Sequence, residues 1–495
     1  MLKNSKFLVL LFLFLFLCEI LNSQSFVGTQ SNFSGSRSLS MNPSLLTTSN
    51  LYFDLNIIGV GMTAYNDCAY IKSSDLMKMF YSLGGYTPHY HVDDKDVDCL
   101  IYSDHCMRYL QESLDVSALN FMYDIDGRQA IGLSFKGRVY TSASKIPWEL
   151  AEIIDAGKDA EDYRQHYSSD NVKVATMEWA EVALAYSNTV YERYRHKIDA
   201  GASLKYLMGY SAAVANIDQL DYTIVNEDSI IVNNFDANLA YSLPIKYYES
   251  FSQNDVFDKS LLRGQGFGLD LGFTYTHKRN SNIQRKHKGV YTRPKVDYIW
   301  RAGVSLMDVG FINFNKNAVD NYYYTSTPTL FDVDNMDHMK CFDELSASLS
   351  AIYYDGDSLK SKVSDRVRVG LPTTLRLQFD YNIYKNYYVN ATVIQPIRLF
   401  EYSVMAAPRL MLEPRYESEY FDFCLPISLY NYEYIRLGAS LRVAFITIGT
   451  EKLATYLGIG DANGIDFYVS VKVGLVKANK MGRNRDACWS AASFR

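Results

Sequence analysis

Apolar and polar residues alternate one for one over stretches longer than an ordinary strand, and few folds can absorb that pattern. Leu375, Leu377, Phe379, Tyr381 and Ile383 occupy every second position, with Thr374, Arg376, Gln378, Asp380 and Asn382 between them. Residues 131–140, 198–208, 434–446 and 465–475 repeat the pattern; in 198–208, Ile198, Leu204, Tyr206 and Met208 oppose Asp199, Ser203 and Lys205. Successive strand side chains point to opposite faces, so each stretch carries one apolar and one polar face. The stretches run about ten to thirteen residues, where a usual strand has about 5–6 and a tilted bilayer-spanning strand needs about 9–11. Polar turns separate them, with hairpin signals at Asp126-Gly127 and Asn463-Gly464. Roughly a dozen or more strands fit between residues 51 and 476 on this pattern.

Two architectures accept such strands: a large soluble antiparallel sandwich and a membrane barrel closed on itself. Strand length favours the barrel, and so do 41 Tyr and 26 Phe, many near strand ends, in a chain of 495 residues. The N-terminus agrees. Lys3 and Lys6 precede an apolar run from Phe7 to Cys18, and Ser23 offers a small residue at a cleavage point, so residues 1–23 read as a secretory signal peptide. That run is too short to span a bilayer as a helix. The fold class expected is therefore all-β, a transmembrane antiparallel β-barrel in the outer membrane. Residues 24–50 form an N-terminal segment suited to plugging it, residues 51–476 form the barrel, and 477–495 form a basic tail. Helical insertions are expected near 73–114 (Ser73 to Leu83 and Ser103 to Leu114) and over 147–165, where Pro147 opens a helical pattern. A net charge of −6 excludes the basic footprint of a nucleic-acid binder.

Read as a barrel, the polar faces line a lumen. They carry Lys205, Asp270, Arg301, Arg376, Asp380, Arg436, Arg442 and Lys472, which can pair with one another, hold a plug or bias permeation. Gly264, Gly266 and Gly268 share a face with Asp270 and Gly272, and a glycine stripe on an inner wall leaves room for a packed plug. The sequence Gly264-Gln265-Gly266-Phe267-Gly268 is not a phosphate loop, because it lacks both the G-x-G-x-x-G spacing and a Gly-Lys-Ser/Thr ending. His89, His91, Asp93, Asp94, Asp96, Asp98, Asp104 and His105 crowd one stretch without EF-hand or zinc spacing, so a solvated acidic loop is expected and no metal. Hydrolase motifs such as G-x-S-x-G and H-E-x-x-H are missing, and no enzymatic activity or cofactor is expected. Six cysteines remain after the signal peptide, and no pairing can be chosen among them.

Several phrases in order resemble a family: Ser40-Met41-Asn42-Pro43-Ser44-Leu45, Ala202-Ser203-Leu204-Lys205-Tyr206, Gly266-Phe267-Gly268-Leu269-Asp270, Arg301-Ala302-Gly303-Val304-Ser305, Leu425-Pro426-Ile427 and Ile448-Gly449-Thr450-Glu451-Lys452. They resemble an uncharacterised group of Bacteroidota outer-membrane barrels distantly similar to the PorV/PorP proteins and to FadL-type channels. The resemblance spans residues 37–476. It implies a barrel of about 14 strands with an N-terminal segment near or in the lumen, and no enzyme activity. The function it points to is passive transport or binding of small hydrophobic solutes. The alternatives are an outer-membrane anchor or shuttle partner for a secretion or gliding machinery, and a secreted soluble β-protein binding glycans. Expected partners are outer-membrane lipid, a small hydrophobic solute and secretion-system proteins.

Overall fold

The computed structural model describes residues 27–74, 99–101, 106–147, 165–226, 229–248, 258, 260–279, 286–287, 290–291, 297–332 and 341–477. The wall strands are β1 (Leu51–Asn66), β2 (Arg108–Asp124), β3 (Gln129–Ile146), β4 (His166–Arg193), β5 (His196–Ile224), β6 (Gly264–Lys278) and β7 (Tyr298–Phe314). They continue as β8 (Val367–Gly370 with Thr374–Tyr384), β9 (Tyr387–Pro396), β10 (Arg409–Glu417), β11 (Phe421–Cys424 with Ile427–Tyr430), β12 (Tyr434–Leu437 with Ala439–Val443), β13 (Ile446–Thr450) and β14 (Gly464–Val476). Each pairs antiparallel with its neighbour in the chain. Pairing of β14 with β1, from Leu51↔Val476 to Tyr65↔Gly464, closes a fourteen-stranded barrel. Closure leaves no edge, which a strand wall in lipid requires.

Inside and outside are inverted relative to a soluble protein. On β5 and β6 the outward Leu204 and Phe267 are 60% and 66% exposed, while the inward Lys205 and Asp270 are 4% and 2% exposed. On β8, Leu377, Phe379, Tyr381 and Ile383 face out, and Arg376, Gln378, Asp380 and Asn382 are buried. The apolar faces do not stack on one another, so the sandwich is ruled out. One end of the barrel has tight turns at 125–128, 194–195, 385–386, 418–420 and 444–445 together with the 279–297 connection; the other has the tight turn at 431–433 and the remaining long connections. Aromatic side chains gather toward the tight-turn end, with Tyr275 to Trp300 at 5.0 Å and Tyr387 to Tyr416 at 5.1 Å between ring centroids.

At the long-loop end β4 and β5 run past the barrel. Ser229–Ser242 pairs with the far half of β5, Ala318–Thr325 and Thr329–Asp332 pair with that strand, and Lys362–Ser364 pairs with Ala318–Thr325. Helix α1 (Phe342–Tyr353) lies on this extension, with Phe342 against Tyr241 and Tyr353 against Phe235.

Three expectations are corrected. The helix expected over Ser103–Leu114 is strand from Arg108 onward: Glu112 pairs with Ala64 on one side and Thr141 on the other, so both its ladders are filled. Asn463-Gly464 does not make a hairpin; it ends the 451–463 connection, although Asp126-Gly127 does turn β2 into β3. At Gly264, Gly266 and Gly268 the glycine stripe has other neighbours than a plug, although Gly272 on the same face meets the 27–50 segment. A Cβ on Gly264 or Gly266 would strike the backbone of β7 around Phe311 to Asn313, and one on Gly268 would meet Leu371 and Lys205. The pairing of β7 with β6 also carries a bulge between Leu306 and Val309. The signal peptide, the 148–164 stretch, the 89–98 acidic stretch and the tail beyond 477 lie outside the described residues.

Candidate functional site

The lumen contains residues 27–50. Two short 3-10 turns, Gly35–Ser40 and Pro43–Leu46, give this segment its shape. Asn42 caps the second, its Oδ1 accepting from Ser44 N at 3.0 Å, and Pro43 follows at the first helical position, where no donor is lost. All 24 residues are buried except Arg37 and Ser40, which are half-buried. Backbone this buried and this irregular must find hydrogen-bond partners outside itself.

The wall supplies them. Gly28 N donates to Glu413 at 3.0 Å, Asn32 N to Glu417 at 3.1 Å, and Ser36 N and Oγ to Asp54 at 2.7 and 2.6 Å. In the other direction Arg301 donates to Gln30 O at 3.0 Å, Ser305 Oγ to Met41 O at 2.8 Å, and Lys472 to Ser34 O at 3.1 Å. Arg376 donates to Ser40 O. Thr47 Oγ1 donates to Asp199 at 3.0 Å. Glycines make room where the segment presses hardest. A Cβ on Gly272 would strike Asn42 Oδ1, and one on Gly201 would lie 2.5 Å from Ser44 N.

Each residue expected to line the lumen is buried on the inner face; six fall into four groups, and two meet the segment directly. Lys205 and Asp270 pair at 2.8 Å and share Asp308, which also takes Arg138 at 2.9 Å; Arg138 in turn reaches Asp115 and Glu181. Arg301 and Asp380 pair at 3.0 Å; Arg415 joins at 2.8 Å and Tyr298 OH donates at 2.6 Å. Arg442 grips Asp422 with two bonds of 2.7 Å, and Asp422 accepts from Ser31 of the segment. Arg436 lies 3.5 Å over the Tyr430 ring and 5.0 Å over Tyr65, beside Arg409 and its partner Glu451. Lys472 and Arg376 meet the segment directly. Buried charges are costly unless paired and hydrogen-bonded, and most of these are both.

Arg138, Asp308, Arg415, Glu417 and Asp54 belong to these groups and were not singled out from sequence. A charge on the polar face of an alternating strand is the signal that would have found Arg138 and Arg415. Asp308 had none, because it sits in the bulge, in a left-handed conformation with φ 56°.

At the long-loop end the lumen is apolar on the side of β4–β8, while Arg409, Arg436 and Glu451 keep the side of β10–β13 charged. Trp179, Leu207, Phe314, Val369, Leu371 and Val404 form one buried cluster, with Tyr402 packed against it. The 397–408 connection folds in to complete it: Val404 N donates to Gly370 O and Met405 N to Ser142 Oγ. Small cavities lie among the described residues, one beside Arg376, Arg409 and Tyr430, another between the segment and β11–β14.

The sequence profile of a family of unknown function, DUF5723, matches residues 43–451. No curated protein matches the sequence. Among solved structures, a FadL homologue from Pseudomonas aeruginosa is 10% identical over 91% of this chain and 96% of its own, with a TM-score of 0.28. The Pseudomonas putida toluene transporter TodX is 9% identical over 92% and 99%, with a TM-score of 0.30.

Proposed function

The chain belongs to the DUF5723 family, and from that premise we propose that it is an outer-membrane barrel, closed at rest, for the passage of small, largely hydrophobic solutes. The observation that carries the reading is the inverted wall. An unbroken outward band of residues such as Leu204, Leu269, Phe379, Ile448 and Val469 suits acyl chains, and water has no use for it. The export signal in residues 1–23 and the tight-turn end, facing the periplasm, support the same location.

Residues 27–50 act as the plug in this reading. The apolar cluster around Trp179 and Val404 is the place a hydrophobic solute enters, and the plug is the barrier it meets next. Planar-bilayer conductance and liposome swelling test it: wild type conducts little, and a variant lacking residues 27–50 conducts well. Quenching of Trp179 by small aromatic and aliphatic solutes tests the entry site. Silence in all three removes transport. The second reading, an anchor or shuttle partner for secreted proteins, draws on the closure of both ends of the lumen; stable co-purification of secretion components from crosslinked envelopes is its test.

A further inference from the structure

A small cavity, with room for about one water-sized particle, is shared between the inner segment and the wall. Gly28, Phe33 and Arg37 close it from the segment; Asp422, Arg442, Thr447 and Lys472 are among its wall residues. Three cations thus surround one carboxylate. That carboxylate is already committed, since Asp422 takes Arg442 through both oxygens at 2.7 Å and also accepts from Ser31 and Ser418 N. Lys472 spends its protons on Phe33 O and Ser34 O, with Asp54 at 3.7 Å.

Arg37 is left over. One Nη donates to Val27 O at 3.1 Å and the guanidinium lies 5.5 Å over the Tyr468 ring, but among the described residues it pairs with no carboxylate. Across the cavity the Thr447 hydroxyl is buried, 2% exposed, with no hydrogen-bond partner. A buried hydroxyl without a partner is unusual enough to need a reason. A water could satisfy Thr447, but a water leaves the surplus positive charge in place.

We propose that this cavity binds a small inorganic anion of halide type, held by the Arg37 guanidinium and the Thr447 hydroxyl. Ser440 lines the same cavity and offers a second hydroxyl. Lys472 and Arg442 add positive field without giving up their own partners. The anion is a strut: it joins Arg37 of the segment to β13 of the wall, so seating of the segment depends on the anion present. The inference holds whether the barrel conducts or not, because it concerns only how the segment is fixed.

Bromide is the probe. The full mature protein, purified in detergent in sodium gluconate, is melted and digested with protease before and after exchange into sodium bromide at equal ionic strength, which holds general screening constant. The midpoint is expected to rise by about 2 °C in bromide, and cleavage within residues 27–50 to slow severalfold. Crystals in bromide are expected to show an anomalous peak between Arg37 and Thr447. Arg37→Gln and Thr447→Val each abolish the bromide response, read as the shift from each variant's own midpoint in gluconate. If either variant fails to fold, the wild-type peak and the other variant decide. A featureless cavity in the anomalous map, or a bromide shift that survives in a folded variant, overturns the proposal.

Discussion

Strand β5 shows two interiors on one chain. Over its first half the inward residues are Lys197, Asp199, Ser203 and Lys205; from Leu207 onward they are mostly apolar, Leu207, Ala212 and Val214, before Asn216, which donates to Glu401 O. The outward face stays apolar opposite the first half, at Ile198, Leu204 and Tyr206. The change follows what fills the barrel at each level. Where residues 27–50 lie inside, the wall must satisfy the amides and carbonyls of irregular backbone, and it does so with charges. Where no such segment lies, the wall and the 397–408 connection pack apolar groups on one another. Along β5, inner polarity therefore follows what packs against each half of the strand.

Breaking the charged half should cost most. Asp380→Ala strips Arg301, Arg415 and Tyr298 of a common acceptor and leaves two guanidinium groups short of partners in a buried site. A loss of about 3–5 kcal/mol is expected, read as a lower midpoint in detergent melts, together with protease cleavage inside residues 27–50. Leu207→Ala in the apolar half also destabilises, by about 2–5 kcal/mol, but leaves the segment as protected as in wild type. Equal release of the segment by both substitutions would mean that the two interiors are not separate.

The outward face supplies the next test. Leu269 lies opposite the inward Asp270 neighbourhood on β6, 37% exposed. Leu269→Arg places a charge among acyl chains, at a cost of about 2–4 kcal/mol near the midplane, seen as reduced assembly in lipid and little change in detergent. A variant that assembles in bilayers as readily as wild type would argue that this band does not face lipid.

Most of the wall could be read from sequence because period two is a local property: 374–384, 464–476 and 198–208 have the expected faces. Bulges were not legible. At Asn56/Ile58 the phase slips, so Ile57 and Ile58 are both exposed; at Leu119, with φ 53°, and again at Asp308, the pattern breaks. The last of these breaks hid Asp308. At Gly264, Gly266 and Gly268 the glycine stripe went astray because the close approach of β7 and Leu371 is a long-range event. The face of Gly272 was read correctly, but its distant neighbour Asn42 could not be.

That glycine yields a smaller effect. Gly272→Val drives a side chain into Asn42 and Pro43, an overpacking cost of about 1–3 kcal/mol, and loosens the segment. Conductance rises and protease reaches residues 40–46. Gly137→Val is the control, because a Cβ there meets nothing within 4 Å. Identical behaviour of the two variants would detach the segment from the closure of the lumen.

The smallest effect sharpens the comparison at the rim. Ladder pairing between β13 and β14 covers only Ile446↔Val471 to Gly449↔Tyr468. Beyond it the backbone of Asp466 is served by a side chain: Tyr456 OH, from the short helix Leu453–Tyr456, donates to Asp466 O at 2.9 Å and accepts from Asp466 N at 3.0 Å. One phenol thus stands in for the strand that is missing there. Tyr456→Phe keeps the ring and removes both bonds, so the loss should be about 0.5–1.5 kcal/mol. It should appear as faster amide exchange at Asp466 and nowhere in the lower wall. An Asp466 amide protected as well as in wild type would mean that something other than this hydroxyl completes the wall, and that the rim, unlike the charged half, does not depend on single side chains.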